Sequence, residues 1–228
     1  LKAELVKARP ELEVHVEKCD LSAPGEERKM IERVLPKVGQ VDVLVNNAGV
    51  GDMGVFDKAD MQRTLDMIQL NVTSLVALTR VLVAPMVERR SGGILNVSSG
   101  FGLAFLPGFA AYAGTKYFVT GFTEALRSEL RDRGVVVTQV CPGPVATEFE
   151  QNIGNFTGQK VPSFIEISAE RCARSAFRAF SRDRAMVIPG IIISIVMFVA
   201  KWSPAFMVRL FAGLVGRVLR KRQLAAAP

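Results

Sequence analysis

At 228 residues the chain is long enough for one α/β domain with a substantial core and too short for two comfortable ones. Its formal charge is +7, but eleven Lys and Arg lie from Arg171 onward against the single acid Asp183, so the rest is slightly acidic. Basic residues interleaved with large apolar ones point to a membrane surface rather than nucleic acid. The lone His15 gives no basis for a histidine base or a metal site, and the irregularly spaced Cys19, Cys141 and Cys172 suit a reducing compartment.

In chain order, Leu1 to Arg9 reads as the last turns of a helix stopped by Pro10. Glu11 to Glu17 alternates polar and apolar residues, the pattern of a half-buried strand. Ser22 can cap a helix running through Pro24, Glu26 and Glu27 to about Leu35. Val41 to Val45 is apolar on both faces, as a central parallel strand should be, and runs into Asn46-Asn47-Ala48-Gly49. Ligands bind at such carboxyl ends in open α/β sheets. Asp60 to Arg89 is one long helical pattern containing Leu70-Asn71-Val72.

Gly92 to Val97 reads as a buried strand ending in Ser98-Ser99. The Gly- and Phe-rich stretch Gly100 to Gly108 suits the wall of an apolar substrate site. Phe109 to Arg131 is a helix with Phe118, Phe122, Leu126 and Leu130 in register. Val135 to Val140 is a β-branched strand halted by Pro142-Gly143, and Glu148 to Glu166 is an irregular stretch expected to cover the substrate. Ser168 starts a helix with an Arg171, Arg174, Arg178 stripe, and Ala185 to Pro189 is a last short strand. Residues 1–190 are thus one domain and 191–228 an apolar and basic extension.

In that extension Ile191 to Ala200 is apolar but short of the roughly twenty residues needed to span a bilayer. Ser203 is the expected N-cap and Pro204 the first residue of a following helix. That helix has Arg209, Arg217 and Arg220 on one side and Phe211, Leu214, Val215, Val218 and Leu219 on another. Two readings stand: a helical extension packing on the domain or a second subunit, and an interfacial membrane anchor over 191–222.

Chemistry is concentrated in Tyr112 and Lys116, four apart on one helix face. A neighbouring ammonium favours the phenolate, so a tyrosine there is expected to exchange protons near neutral pH. Taken together, Asn46-Asn47-Ala48-Gly49, Asn71, the paired serines, Tyr112-x-x-x-Lys116 and Cys141-Pro142-Gly143-Pro144-Val145-Ala146-Thr147 resemble the short-chain dehydrogenase/reductase family over about Glu13 to Glu148. The resemblance implies a doubly wound parallel sheet of the Rossmann type and an NAD- or NADP-dependent oxidoreductase. Such an enzyme interconverts a secondary alcohol and a ketone, and the Phe-rich segments argue for a hydrophobic lipid, steroid or acyl carbonyl.

By the same resemblance the catalytic set is Asn71, Ser99, Tyr112 and Lys116, with Ser98 the competitor of Ser99. Cofactor contacts fall to Asp20 at the adenine, to Asn46, Ala48 and Gly49 at the ribose side, where the segment also steadies the central sheet, and to Tyr112 and Lys116. Pro142, Gly143, Val145 and Thr147 are assigned to the nicotinamide side. A cytoplasmic, homo-oligomeric protein, membrane-associated if the tail is an anchor, is the corresponding expectation. The alternative is an inactive binding or scaffold protein that has kept the fold.

The family's Gly-x-x-x-Gly-x-Gly turn does not occur before Asp20. The sequence is therefore expected to be an N-terminally truncated piece lacking two strands and the first helix, roughly 35–45 residues by element lengths. Such a piece should leave the Glu11 to Val16 strand without a neighbour and the Val41 strand with an unpaired edge, fold poorly and hold a dinucleotide weakly.

Overall fold

The computed structural model of the chain describes residues 2–147, Phe149, Ile153 and 165–226. The first half contains α1 (Lys2–Ala8), α2 (Glu26–Val38), β1 (Val43–Asn46), α3 (Met61–Ile68), α4 (Leu75–Glu88) and β2 (Gly92–Val97). The second half contains α5 (Ala110–Leu130), β3 (Val135–Val140), β4 (Val145–Ala146), β5 (Ile167–Ser168), α6 (Ala169–Phe180), β6 (Met186–Val187), α7 (Ile191–Trp202) and α8 (Ala205–Ala226). Most of the stretch expected to cover the substrate, Glu148 to Glu166, lies outside the described residues.

β1, β2, β3 and β6 pair in parallel in that order, and β4 and β5 form a separate parallel pair. The central strands are buried on both faces, with Ile94 and Val137 fully enclosed, which is why they read as near-continuous apolar runs. Helices α2, α4 and α5 cover one face through Ile31, Leu78, Leu82, Met86, Leu126 and Leu130. Helix α6 covers the other, where Phe180 lies so close to Gly93 that an added Cβ would fall 2.2 Å from its ring. This is the Rossmann-like α/β architecture the sequence implies.

Helices α3 and α4 form one rod, joined by a π-helical turn at Gln69–Ser74. Asp60 caps its start, accepting from the Arg63 amide at 2.7 Å. By length and apolar composition alone Met61–Glu88 could cross a membrane. Its buried Met67, Leu75, Leu78, Leu82 and Met86 make it a core helix instead.

Four local expectations are corrected. Glu11 to Glu17 is not a strand: Val16 is 71% exposed and no ladder partner lies beside it among the described residues. An alternating segment becomes a strand only against a sheet; this one is tethered through Glu17 to Arg33 and Lys37. The apolar pattern of β1 does not make it central: Val43 and Val45 are 45% and 52% exposed, on an edge that among the described residues pairs with β2 alone, which is the open edge expected of this strand. Helix α2 begins at Glu26 after a left-handed Gly25, because Ser22 is taken up by Asp20, to which its hydroxyl donates at 2.6 Å. Ser203 closes α7 by donating to Val199 O at 2.7 Å, so α8 starts at Ala205, one residue after the expected Pro204.

Candidate active site

The site is assembled at the carboxyl ends of β1, β2 and β3. Ser98 and Ser99 follow β2 immediately, and alternation along an extended chain sends them to opposite sides. Ser98 turns inward: its hydroxyl meets Lys116 O at 3.1 Å and Thr120 Oγ1 at 2.8 Å, locking the strand end to α5. Ser99 turns to the cleft, where its side chain accepts from the Phe101 amide at 3.2 Å and lies beside the Tyr112 phenol. Geometry therefore sends the two serines to different surroundings, with Ser99, the one its spacing to Tyr112 favours, on the cleft side.

Helical spacing does bring Tyr112 and Lys116 onto one face, but the ammonium lies over the ring, 5.9 Å from its centroid. One of its N–H groups donates to Val97 O at 3.0 Å. Burial consequently dominates the electrostatics. It raises the Tyr112 pKa, with the Ser99 hydroxyl beside it offsetting only part of the effect. The expected lysine-driven lowering is absent here, and Tyr112 is a protonated acid at neutral pH. Burial also lowers Lys116 to about 8.

Asn71 sits in the π-helical turn, a distortion that recurs at functional sites. Its amide donates to Val50 O at 2.9 Å and to Thr115 Oγ1 at 3.1 Å, while its oxygen accepts from Val50 N at 3.0 Å. Thr115 in turn donates to Tyr112 O at 2.7 Å. Asn71 thus ties the loop after β1 to the helix turn that carries the phenol. Sequence reasoning misses Thr115, whose place between Tyr112 and Lys116 is the one signal that could point to it.

A Cβ on Gly49 would fall 3.2 Å from Asn71 Oδ1 and 3.4 Å from Lys116 Nζ. The bare glycine therefore opens the loop toward the ammonium, leaving a cradle with unspent N–H donors. That donor set fits the hydroxyls of a nicotinamide ribose. Asn46 works inside the sheet, the structural part of the role expected of its segment. Buried there, it donates to Asn96 Oδ1 at 2.8 Å and Thr79 Oγ1 at 3.0 Å, and Asn96 donates on to Thr123 at 2.9 Å. Ala48 is exposed beside it. Asp20 is exposed too, its carboxylate accepting from Ser22, one residue before the Leu21 that lines a hollow with Asn46 and Ala48.

After β3, Pro142 O accepts from Gly100 N at 2.7 Å, binding the two strand ends together. Gly143 lies under α7, Val145 pairs with Ile167, and Thr147 is exposed with its hydroxyl donating to Val145 O at 3.3 Å. Aromatic side chains surround the phenol: Phe101 stacks on Phe109 at 4.5 Å, and Tyr112 lies 5.7 Å from Phe101 and 5.9 Å from Phe149. Phe105, expected in the same wall, is 47% exposed.

A family profile described as short chain dehydrogenase matches residues 1–157. The chain belongs to that family. It is 29% identical over 179 residues to human dehydrogenase/reductase SDR family member 7, covering 76% of this chain and 53% of the relative. It is 35% identical over 125 residues to a 3-oxoacyl-[acyl-carrier-protein] reductase from Synechocystis, covering 55% and 51%. The chain thus spans about half the length of these relatives. A short-chain dehydrogenase from Sphingobium yanoikuyae in complex with NADPH matches in structure with a TM-score of 0.74 at 26% identity, over 85% of this chain and 74% of that one.

Proposed function

We propose that the chain carries the chemistry of an NAD(P)-dependent oxidoreductase interconverting a hydrophobic secondary alcohol and ketone. The observation that supports it most is the convergence of Ser99, Tyr112 and Lys116 on a cleft that Gly49 leaves open. When bound, NAD(H) or NADP(H) supplies the hydride. Tyr112 holds the proton at Oη and passes it to the substrate oxygen during reduction, and takes it back during oxidation. Ser99 Oγ orients that oxygen, and Lys116 Nζ holds the ribose hydroxyls. Asn71 fixes the Val50 loop against α5 so that these groups keep register. Gly49, Ala48, Pro142, Gly143, Val145 and Thr147 border the cofactor, with Asp20 at its adenine end and Asn46 supporting the sheet beneath. Phe101, Phe109 and Phe149 exclude water and favour a lipid, steroid or acyl carbonyl.

In this reading residues 1–190 hold the site and 191–228 wall it. The outward Tyr117 and Phe118 of α5, 42% and 43% exposed, are the surface for homo-oligomer contact. The test is Tyr112→Phe, followed by loss of reduced-nicotinamide absorbance with a hydrophobic ketone. Turnover should fall about 10²- to 10⁴-fold while cofactor binding is kept. Full turnover in the variant would end the proposal.

A further inference from the structure

Helices α7 and α8 each present two apolar faces, and among the described residues the domain packs on one face of each. The inner face of α7 closes on the site: a Cβ on Gly143 would fall 2.6 Å from Ile193, and one on Gly100 3.1 Å from Met197. The inner face of α8 lies on the loop before α5. Buried Leu219 approaches Gly108, Gly216 meets Pro107, and Arg220 grips Asp57 with two contacts of 3.0 Å. Of the apolar residues assigned to one side of α8 from sequence, Val215 and Leu219 therefore turn in, while Phe211, Leu214 and Val218 turn out.

Among the described residues nothing covers the outer faces. On α7, Ile191, Ile195, Phe198 and Trp202 are 58–74% exposed, and on α8 Phe206, Leu210, Phe211 and Leu214 are 55–70% exposed. A run of this kind is well beyond the scattered apolar residues of an ordinary surface. Charge narrows what can cover it. From Ile191 to Pro228 there is no Asp or Glu, whereas Lys201, Arg209, Arg217, Arg220, Lys221 and Arg222 are basic. A second copy would set like charges face to face. At the base of α7 a groove lined by Arg171, Arg174 and Arg178 adjoins Gly190 and Ile191, with Arg174 already paired to Glu170.

We propose that the outer faces of α7 and α8 dock the chain flat on an anionic lipid bilayer, with basic residues at the phosphates and the apolar side chains below them. At twelve residues α7 rises about 18 Å, short of the about 30 Å of a hydrocarbon core, so it lies in the interface rather than crossing it. Because the opposite faces of these helices wall the cleft at Gly100, Gly108 and Gly143, docking holds that cleft at the membrane surface. The docking stands without the oxidoreductase reading; delivery of a membrane-dissolved carbonyl to Tyr112 rests on it.

The test is flotation of the full chain with phosphatidylcholine vesicles, with and without phosphatidylglycerol. The chain should float with the anionic vesicles, less so as salt is added, and weakly with phosphatidylcholine alone. Ile195→Glu/Phe198→Glu/Leu210→Glu, all at exposed positions, should lower vesicle binding at least about tenfold while the melting curve is unchanged. Arg209→Gln/Arg217→Gln should reduce only the anionic component, and Tyr112→Phe should float like the parent, separating this result from any failure of catalysis. Absence of flotation, or equal flotation of the triple variant, overturns the proposal. So does a parent that is dimeric without vesicle binding and becomes monomeric in the triple variant, since the face would then join two copies.

Discussion

Replacing Lys116 by Met should make the protein more stable and inactive at the same time. Lys116 is 5% exposed, and its ammonium, ordinarily at 10.5, titrates at about 8 in the folded chain because burial disfavours the charge. That gap corresponds to about 3 kcal/mol of destabilisation wherever both folded and unfolded states are protonated. Methionine keeps most of the aliphatic stem and removes the charge, but strands Val97 O, at a cost of about 1–2 kcal/mol. The net expectation near neutral pH is a gain of about 1–2 kcal/mol.

The pH dependence carries the decisive sign. Between about 8 and 10.5 the unfolded lysine still binds a proton and the folded one does not, so parent stability rises with pH in this window. The Met variant has no such group, and its advantage should disappear and then reverse as the pH approaches about 10. Urea denaturation of both proteins across the range measures this. A variant less stable than the parent near neutral pH, by an amount that stays constant to about pH 10, would refute the reasoning.

Ser99→Ala should cut turnover by about 10²-fold or more by freeing the substrate oxygen and Tyr112. Ser98→Ala should instead cost about 1 kcal/mol of stability with turnover kept, because its partners are Lys116 O and Thr120; steady-state kinetics with parallel melts distinguish the two. Asn96→Leu removes a fully buried link between Asn46 and Thr123 and should cost about 2–3 kcal/mol in chemical denaturation. Gly102→Ala would put a Cβ 2.7 Å from the Lys116 carbonyl, 2.5 Å from Ser98 Oγ and 2.4 Å from Thr120 Oγ1. A backbone carbonyl cannot swing aside, so a loss of about 1–3 kcal/mol and slower turnover are expected in the same assays.

Periodicity and β-branching are enough to place the central strands, the long helix carrying Tyr112 and Lys116, and the Ser168-capped α6, because those signals are local. The same is true of the cluster of functional residue types at strand ends, which the fold does bring together. Only tertiary structure decided the rest. Glu11 to Glu17 alternates as a strand should, yet a strand exists only against a partner, and none lies beside it among the described residues. Asn46 belongs to the sheet interior because Asn96, fifty positions away, is the acceptor for its amide. Ser98 and Ser99 are equivalent in composition but diverge by which side of the chain α5 occupies. Tyr112 is raised rather than lowered in pKa because burial depends on the aromatic rings packed around it, which no spacing rule contains. The two apolar faces of α8 blur into one broad stripe in sequence, and they separate only once Pro107 and Gly108 cover one of them.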